Sequence, residues 1–269
     1  MLYLNDEFKE IWQDKDAFEM SKKIRGKIYR QVENRRTLNF SLNNKSYFIK
    51  LHLGVGWREI IKNYLQLRKP IFGAENEWLG VNKLQQLGVD TMNVVAYGMR
   101  GSNPATIESF IITEDLQGTV SLEDYCKAWE KQKPDFILKK NLIEKIATVS
   151  KVLHENGVCH RDFYICHFLM HTNSLDASNN PKLSLIDLHR SIIKKNLSTR
   201  WKRKDLAGLY FSAMDIGLTR RDLYRYIKIY YGTDLRSIFE ASTQKNEFMS
   251  KVSAQAHSMY ERLKDKVDN

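Results

Sequence analysis

The segments that decide how this 269-residue chain reads are His160-Arg161-Asp162-Phe163-Tyr164-Ile165-Cys166-His167 and, twenty-five residues beyond Asp162, Ile186-Asp187-Leu188-His189. Each sets a carboxylate at the end of a short segment that reads as a strand or loop. Asp162 is placed to meet a hydroxyl, and Asp187 to meet a metal ion. Phosphoryl transfer needs such a pair, because its chemistry is mostly alignment plus neutralisation of phosphate charge.

Working outward, the length allows one large domain or two small lobes with formed cores. Hydrophobic residues make up 42% and charged residues 28%, the balance of a globular protein, with no repeat or low-complexity tract. Cys126, Cys159 and Cys166 are too few and too odd for a disulfide framework and suit a reducing cytosol. Met1-Leu2-Tyr3-Leu4-Asn5-Asp6-Glu7 has neither a basic start nor an apolar run, so no secretory signal is expected. No apolar run approaches the eighteen residues of a spanning helix. Forty-three Lys and Arg against thirty-two Asp and Glu leave +11, which favours anionic partners.

Strand patterns dominate the first part. Residues 27–32 and 37–42 alternate, Asn43-Asn44-Lys45 reads as a hairpin turn, and Ser46-Tyr47-Phe48-Ile49-Lys50 as the next strand. A helix over 57–67 gathers Trp57, Ile60, Ile61, Tyr64 and Leu65 on one face; another over 75–87 stops at Gly88. Residues 94–98 and 110–113 complete a largely antiparallel sheet with a helical insertion. Past Gly118 the pattern turns helical. Ser121 with Asp124 marks a helix start, residues 141–156 form a helix ending at Gly157, and 168–170 with 183–186 form a short hairpin. From Lys204 onward the chain reads as helices packed by aromatic residues. The expected architecture is α+β and bilobal: a strand-rich, nucleotide-covering lobe over 1–114, a hinge at 115–118, and a helical lobe over 119–269 carrying the catalytic loop and acceptor site.

The central motif is similar to that of protein kinases, which read His-Arg-Asp, four residues, Asn, and later Asp-Phe-Gly. Here His167 stands in the Asn place and Leu188-His189 replace Phe-Gly. Three longer segments, 159–169, 185–190 and 204–212, resemble the lipopolysaccharide core heptose(I) kinases more closely. So do Arg35-Arg36-Thr37-Leu38, residues 109–116 and Asp215-Ile216-Gly217-Leu218-Thr219. The likeness runs from about Lys27 through Tyr231. It implies a protein-kinase-like fold with a small antiparallel-sheet lobe and ATP-dependent phosphorylation of the first heptose of the lipopolysaccharide inner core. The acceptor would be heptosylated Kdo-lipid A. Mg²⁺ as cofactor, acylated acyl carrier protein as a partner, and a peripheral cytoplasmic location on the inner membrane are also implied. A Kdo kinase or an aminoglycoside-type small-molecule kinase is the alternative.

Asp162 is the expected acceptor-orienting base, with Arg161 tying the loop together. Asp187 is the expected Mg²⁺ ligand, since hard cations take oxygen. His167 is a poor Mg²⁺ ligand and is read as hydrogen-bonding support for Asp162 or a phosphate contact. Lys50 is expected on the nucleotide phosphates with Glu77 as its partner and Glu75 as the competitor. No Gly-x-Gly-x-x-Gly occurs; Glu33-Asn34-Arg35-Arg36 stands instead, so Arg35 and Arg36 are expected to fork onto phosphate oxygens. Glu114 and Asp115 flank the hinge where backbone meets adenine, and Asp205 is expected to brace the catalytic loop. Lys194, Arg200, Lys202 and Arg203 form a basic cluster assigned to the acceptor.

Two other readings compete. Cys159, His160, Cys166, His167 and His171 cluster as in a zinc site, but lack the paired Cys-x-x-Cys spacing. Basic charge and thirteen tyrosines suit a nucleic-acid module, yet no recognition motif is present and no nucleic-acid partner is expected.

Overall fold

The computed structural model describes residues 1–32, 34–66, 72–174, 179–240 and 243–267. Glu33 of the expected phosphate turn and Leu67 of the expected helix lie outside them. Two compact units are present. The first comprises Met1–Lys83, Thr91–Gln117 and Leu188–Arg190; the second comprises Leu84–Asp90, Gly118–Asp187 and Ser191–Asn269. The division is discontinuous, where a single break at the hinge was expected. One cause is local: the Asp90 carbonyl accepts the Leu185 N–H at 2.9 Å and its carboxylate meets Lys182 at 3.2 Å, which binds 84–90 into the second unit.

The first unit runs β1 (Leu2–Leu4), α1 (Asp6–Ile11), α2 (Ala17–Lys23), β2 (Lys27–Val32), β3 (Arg35–Leu42), β4 (Lys45–Leu53), α3 (Gly56–Leu65), α4 (Glu75–Gln86), β5 (Val94–Arg100) and β6 (Glu108–Glu114). Its strands form one antiparallel sheet in the order β1-β5-β6-β4-β3-β2. Asn43 and Asn44 both adopt positive φ, 49° and 60°, in a two-residue turn that pairs Leu42 with Lys45. Asparagine tolerates that left-handed geometry, and the turn fixes the β3–β4 register.

Residues 1–25 build β1, α1 and α2, elements too short to show a long periodic pattern in the sequence. Their start signals are nonetheless written locally. Asn5 accepts the Phe8 N–H, and Asp16 accepts those of Phe18 and Glu19, satisfying donors that a helix start leaves open. Phe8 and Trp12 then pack into a core with Phe40, Tyr47, Phe110 and Ile112. Trp78 of α4 stacks on Tyr97 of β5 at 5.0 Å and meets Tyr3 of β1 at 4.8 Å, which sets the rotation of α4 over the sheet.

The second unit continues with β7 (Thr119–Ser121), α5 (Leu122–Cys126), α6 (Phe136–Glu155), β8 (Val158–Cys159), β9 (Phe168–His171), β10 (Leu183–Leu185), β11 (Ile192–Ile193), α7 (Thr199–Ser212), α8 (Arg220–Tyr231), α9 (Leu235–Phe239) and α10 (Gln244–Val267). Strands β10-β9-β7 make a small sheet and β11-β8 a two-stranded ribbon. Gly157 ends α6 at φ +76°, and a Cβ there would lie 1.7 Å from the Lys194 carbonyl oxygen. Only glycine lets the chain turn directly from α6 into the β8–β11 ribbon. Leu206 and Ala207 of α7, Tyr230 of α8 and Val252 and Ala256 of α10 form the helical core. Among the described residues no helix is long and apolar enough to cross a membrane.

Candidate active site

The loop after β8 is held from beneath by one buried carboxylate. Asp205 of α7 accepts the backbone N–H of His160 at 2.7 Å and that of Arg161 at 2.8 Å, and His154 approaches at 3.4 Å. Charge-assisted bonds of this kind are stronger than neutral ones and hold a loop in one shape. They hold Arg161 at φ +74°, a conformation that costs a non-glycine residue roughly 1–2 kcal/mol. The Arg161 guanidinium lies 5.4 Å from the Trp201 ring centroid.

His160 is wholly buried. Its Nε2 sits 2.9 Å from the carbonyl oxygen of Ile186, so that nitrogen carries the proton and donates. Burial lowers its pKa, and the ring is neutral. The Ile186 N–H donates to the His167 carbonyl at 3.0 Å. These two links set Asp187, the next residue, beside the loop, in the left-handed region at φ +62°.

His167 joins the two carboxylate-bearing segments. Its Nδ1 lies 2.7 Å from the backbone carbonyl of Asp162 and donates to it, and its Nε2 faces Asp187 Oδ2 at 3.5 Å. The imidazole thus reaches Asp162 through its backbone carbonyl, and the Asp162 side chain is half-buried. Asp187 supplies the hard oxygen that Mg²⁺ prefers, and the imidazole nitrogen beside it is a weak complement. No group of three or more His, Cys, Asp or Glu converges among the described residues, so a metal here would complete its shell with substrate oxygens.

In the first unit, Lys50 of β4 lies opposite Ile111 of β6 and points its Nζ to Glu77 Oε1 at 2.7 Å. Glu77 is fully buried and held by α4, whose entry is fixed by the Ala74 N–H bonding Ser109 Oγ at 3.0 Å. Of the two glutamates weighed for this pairing, the ion pair is made by Glu77. Arg36 donates to the Lys22 carbonyl at 3.1 Å, and Arg35 pairs in register with His52. Glu114 accepts from Asn93 Nδ2 at 2.9 Å; Asp115 accepts from Ser46 Oγ at 2.7 Å and is a structural clasp on the sheet.

The residues of the basic cluster make different contacts. Successive residues of α7 point about 100° apart. Arg203 Nε donates to Gln255 of α10 at 3.0 Å, while Lys202 lines a small pocket with His154, Tyr230 and Phe248. Arg200 lies against Trp201, and Lys194 donates its backbone N–H to Gly157. Residues that the sequence did not mark are Trp201, under Arg161, and Ser212, whose Oγ accepts the Ile165 N–H at 3.0 Å. Nothing local could have flagged them, since each acts across forty or more residues.

The zinc alternative fails on the same geometry. His171 Nε2 pairs with Ser184, and although the His160 and His167 rings stack at 5.6 Å, no third ligand joins them to hold a metal among the described residues. Burial pushes the Cys166 thiol up to about 11 and that of Cys159 higher, which disfavours the thiolate a metal needs.

The model of the lipopolysaccharide kinase (Kdo/WaaP) family matches residues 19–230. The chain belongs to that family. Lipopolysaccharide core heptose(I) kinase WaaP of Escherichia coli (strain K12) is 46% identical over 266 residues, covering 99% of both chains. The corresponding WaaP of Pseudomonas aeruginosa (strain PAO1) is 44% identical over 261 residues, covering 97% of this chain and 96% of the relative. A solved structure of WaaP in complex with acyl carrier protein superposes with a TM-score of 0.84 at 40% identity, covering 97% and 99% of the two chains. The α+β, kinase-like fold expected from the motifs is therefore that of the Kdo/WaaP family, and the chain is a phosphotransferase.

Proposed function

We propose that the chain transfers the γ-phosphoryl group of ATP to a hydroxyl of the first heptose of the lipopolysaccharide inner core, as the names of its full-length relatives indicate. The observation that carries the chemistry is the loop in which His167 bridges the Asp162 backbone and the Asp187 carboxylate. Asp162 orients the heptose hydroxyl and accepts its proton as the bond to phosphorus forms. Asp187 would hold Mg²⁺, which when bound neutralises charge on the nucleotide phosphates. Lys50, held by Glu77, meets the α- and β-phosphates, and Arg35 and Arg36 lie against phosphate oxygens. Glu114 presents backbone to the adenine. Lys194 and Arg200 carry the acceptor's anionic groups, with smaller parts for Lys202 and Arg203, whose side chains are turned to α8 and α10. The enzyme works as a peripheral protein on the cytoplasmic face of the inner membrane, where such an acceptor is assembled.

The test is mass spectrometry of heptosylated, phosphate-poor inner core after incubation with the protein and Mg-ATP, beside Asp162→Asn. One phosphate added on heptose by the wild type and none by the variant is the expected result. Phosphate on Kdo instead would give the reaction to the alternative acceptor.

We also infer that an acylated acyl carrier protein is a partner. A carrier protein is bound in the solved WaaP complex. In this chain the second unit contains an apolar cavity of about 340 Å³, lined by Leu142, Ile146, Leu206, Leu209, Ile227 and Val252 among others. A cavity of that lining takes an acyl chain. Native mass spectrometry should find the acylated carrier bound and the unacylated one not.

A further inference from the structure

Helix α3 carries a stripe of large apolar side chains turned to solvent. Trp57 is 56% exposed, Ile61 55%, Tyr64 59% and Leu65 81%; Ile60 is its only buried residue. At 3.6 residues per turn the four exposed positions fall within an arc of about 100°. Arg58 and Lys62 lie along one edge of that arc. Glu59, the one acid of the helix, lies outside the arc, where it accepts from Asn63 Nδ2 at 2.9 Å and meets Lys62 Nζ at 3.9 Å.

The helix is launched from a fixed point. Gly54 and Gly56 adopt φ +87° and +70°, the Gly56 N–H donates to the Ala105 carbonyl at 3.0 Å, and a Cβ on Gly54 would lie 2.6 Å from that oxygen. A tethered helix that buries one side chain and presents four gains nothing from its stripe in water.

We propose that α3 is an in-plane anchor that seats the first unit on an anionic phospholipid surface. Trp and Tyr are the residues that settle at the boundary between headgroups and acyl chains. Ile61 and Leu65 reach below that level, and Arg58 and Lys62 at the edge of the stripe meet anionic headgroups. The stripe is convex and free of acids, which suits a bilayer better than the pocketed surface of a protein. The chain's +11 charge draws it to the same surface. The biological sense of the anchor rests on the proposed function, because the acceptor is itself carried in a membrane by its lipid.

The experiment is flotation of the full chain with vesicles of phosphatidylethanolamine and phosphatidylglycerol, compared with phosphatidylcholine alone. Expected are binding to the anionic vesicles and a blue shift of tryptophan emission that Trp57→Phe abolishes. The triple variant Trp57→Ser, Ile61→Ser, Leu65→Ser should bind at least about tenfold more weakly. It should still phosphorylate detergent-dispersed acceptor as the wild type does. Wild type that ignores anionic vesicles, or a triple variant that floats equally well, overturns the anchor. So does a triple variant that loses self-association or carrier-protein binding while keeping vesicle binding, because the stripe is then a protein contact. Stripe-dependent flotation without any phosphate transfer supports the anchor and removes only the kinase reading.

Discussion

Lys50 Nζ lies 2.7 Å from Oε1 of Glu77, a carboxylate with no exposed surface. The lysine side chain keeps about a quarter of its surface in solvent, so the pair is buried at one end and open at the other. Removing the lysine strands the glutamate charge in the core. Lys50→Met should cost about 3–5 kcal/mol, whereas Lys50→Met with Glu77→Met should recover most of it. Neither should bind ATP normally if Lys50 meets the phosphates. Urea titration and nucleotide binding on the two variants separate the structural role from the functional one.

Asp205 offers a different dissection, because its two oxygens serve two backbone donors and touch no reactant. An Asp205→Ala variant leaves the buried His160 N–H bare, at about 1–3 kcal/mol, and the part-buried Arg161 N–H without its acceptor at a smaller cost. Its kcat should fall as the loop loses its shape, while ATP affinity changes little. Equal losses in both would show that the brace extends to the nucleotide.

Asp162→Asn keeps the size of the side chain and removes the base. A decrease in kcat of roughly 10²–10⁴-fold with unchanged ATP binding is expected. The fold should be intact by thermal melting, since Asn keeps the size of the half-buried side chain and the loop's backbone stays braced by Asp205. A variant with near-normal kcat would move the proton acceptor elsewhere.

Two buried histidines set an acid limit on stability. Burial, with Arg35, Lys50 and His189 adding repulsion, pushes the His52 pKa down to about 3, and burial lowers that of His160 as well. Both rings are neutral in the folded chain and take up protons on unfolding below about pH 6.5. The unfolded state therefore binds more protons in that window. Stability should be full above about pH 6.5 and fall as pH drops below it, for His52 down to about pH 3, by up to about 1.4 kcal/mol per pH unit. His52→Leu should flatten the melting-temperature profile between about pH 6.5 and 5, above the range where carboxylates titrate. An unaltered slope would assign the acid sensitivity to other groups.

The strands around the Asn43-Asn44 turn and the helix ending at Gly157 were legible because their signals are local: alternation, turn residues and helical spacing. Helices α1 and α2 carried equally local caps at Asn5 and Asp16 but lacked length, and short helices stand out from their surroundings only through tertiary packing. For α3 the apolar spacing groups Ile60 with Trp57, Ile61, Tyr64 and Leu65, yet the structure buries Ile60 and exposes the other four. Whether that face turns inward or outward depends on what lies opposite. The basic run at 194–204 shows the same limit, since helical rotation sends Lys202 and Arg203 toward α8 and α10.

By itself the sequence determined the chemistry this chain can offer: two aspartates at fixed spacing, a strand-borne lysine, and a histidine where the related motif has an asparagine. Those are properties of residue type and order. Only the tertiary structure decided which groups meet. Glu77 rather than Glu75 reaches Lys50, because Trp78 stacking on Tyr97 sets the rotation of α4. His167 ties the Asp162 backbone to Asp187, because the His160 and Ile186 contacts bring two loops together across more than twenty residues. Such contacts cost chain entropy to close and are held by packing and buried hydrogen bonds, which no local pattern records.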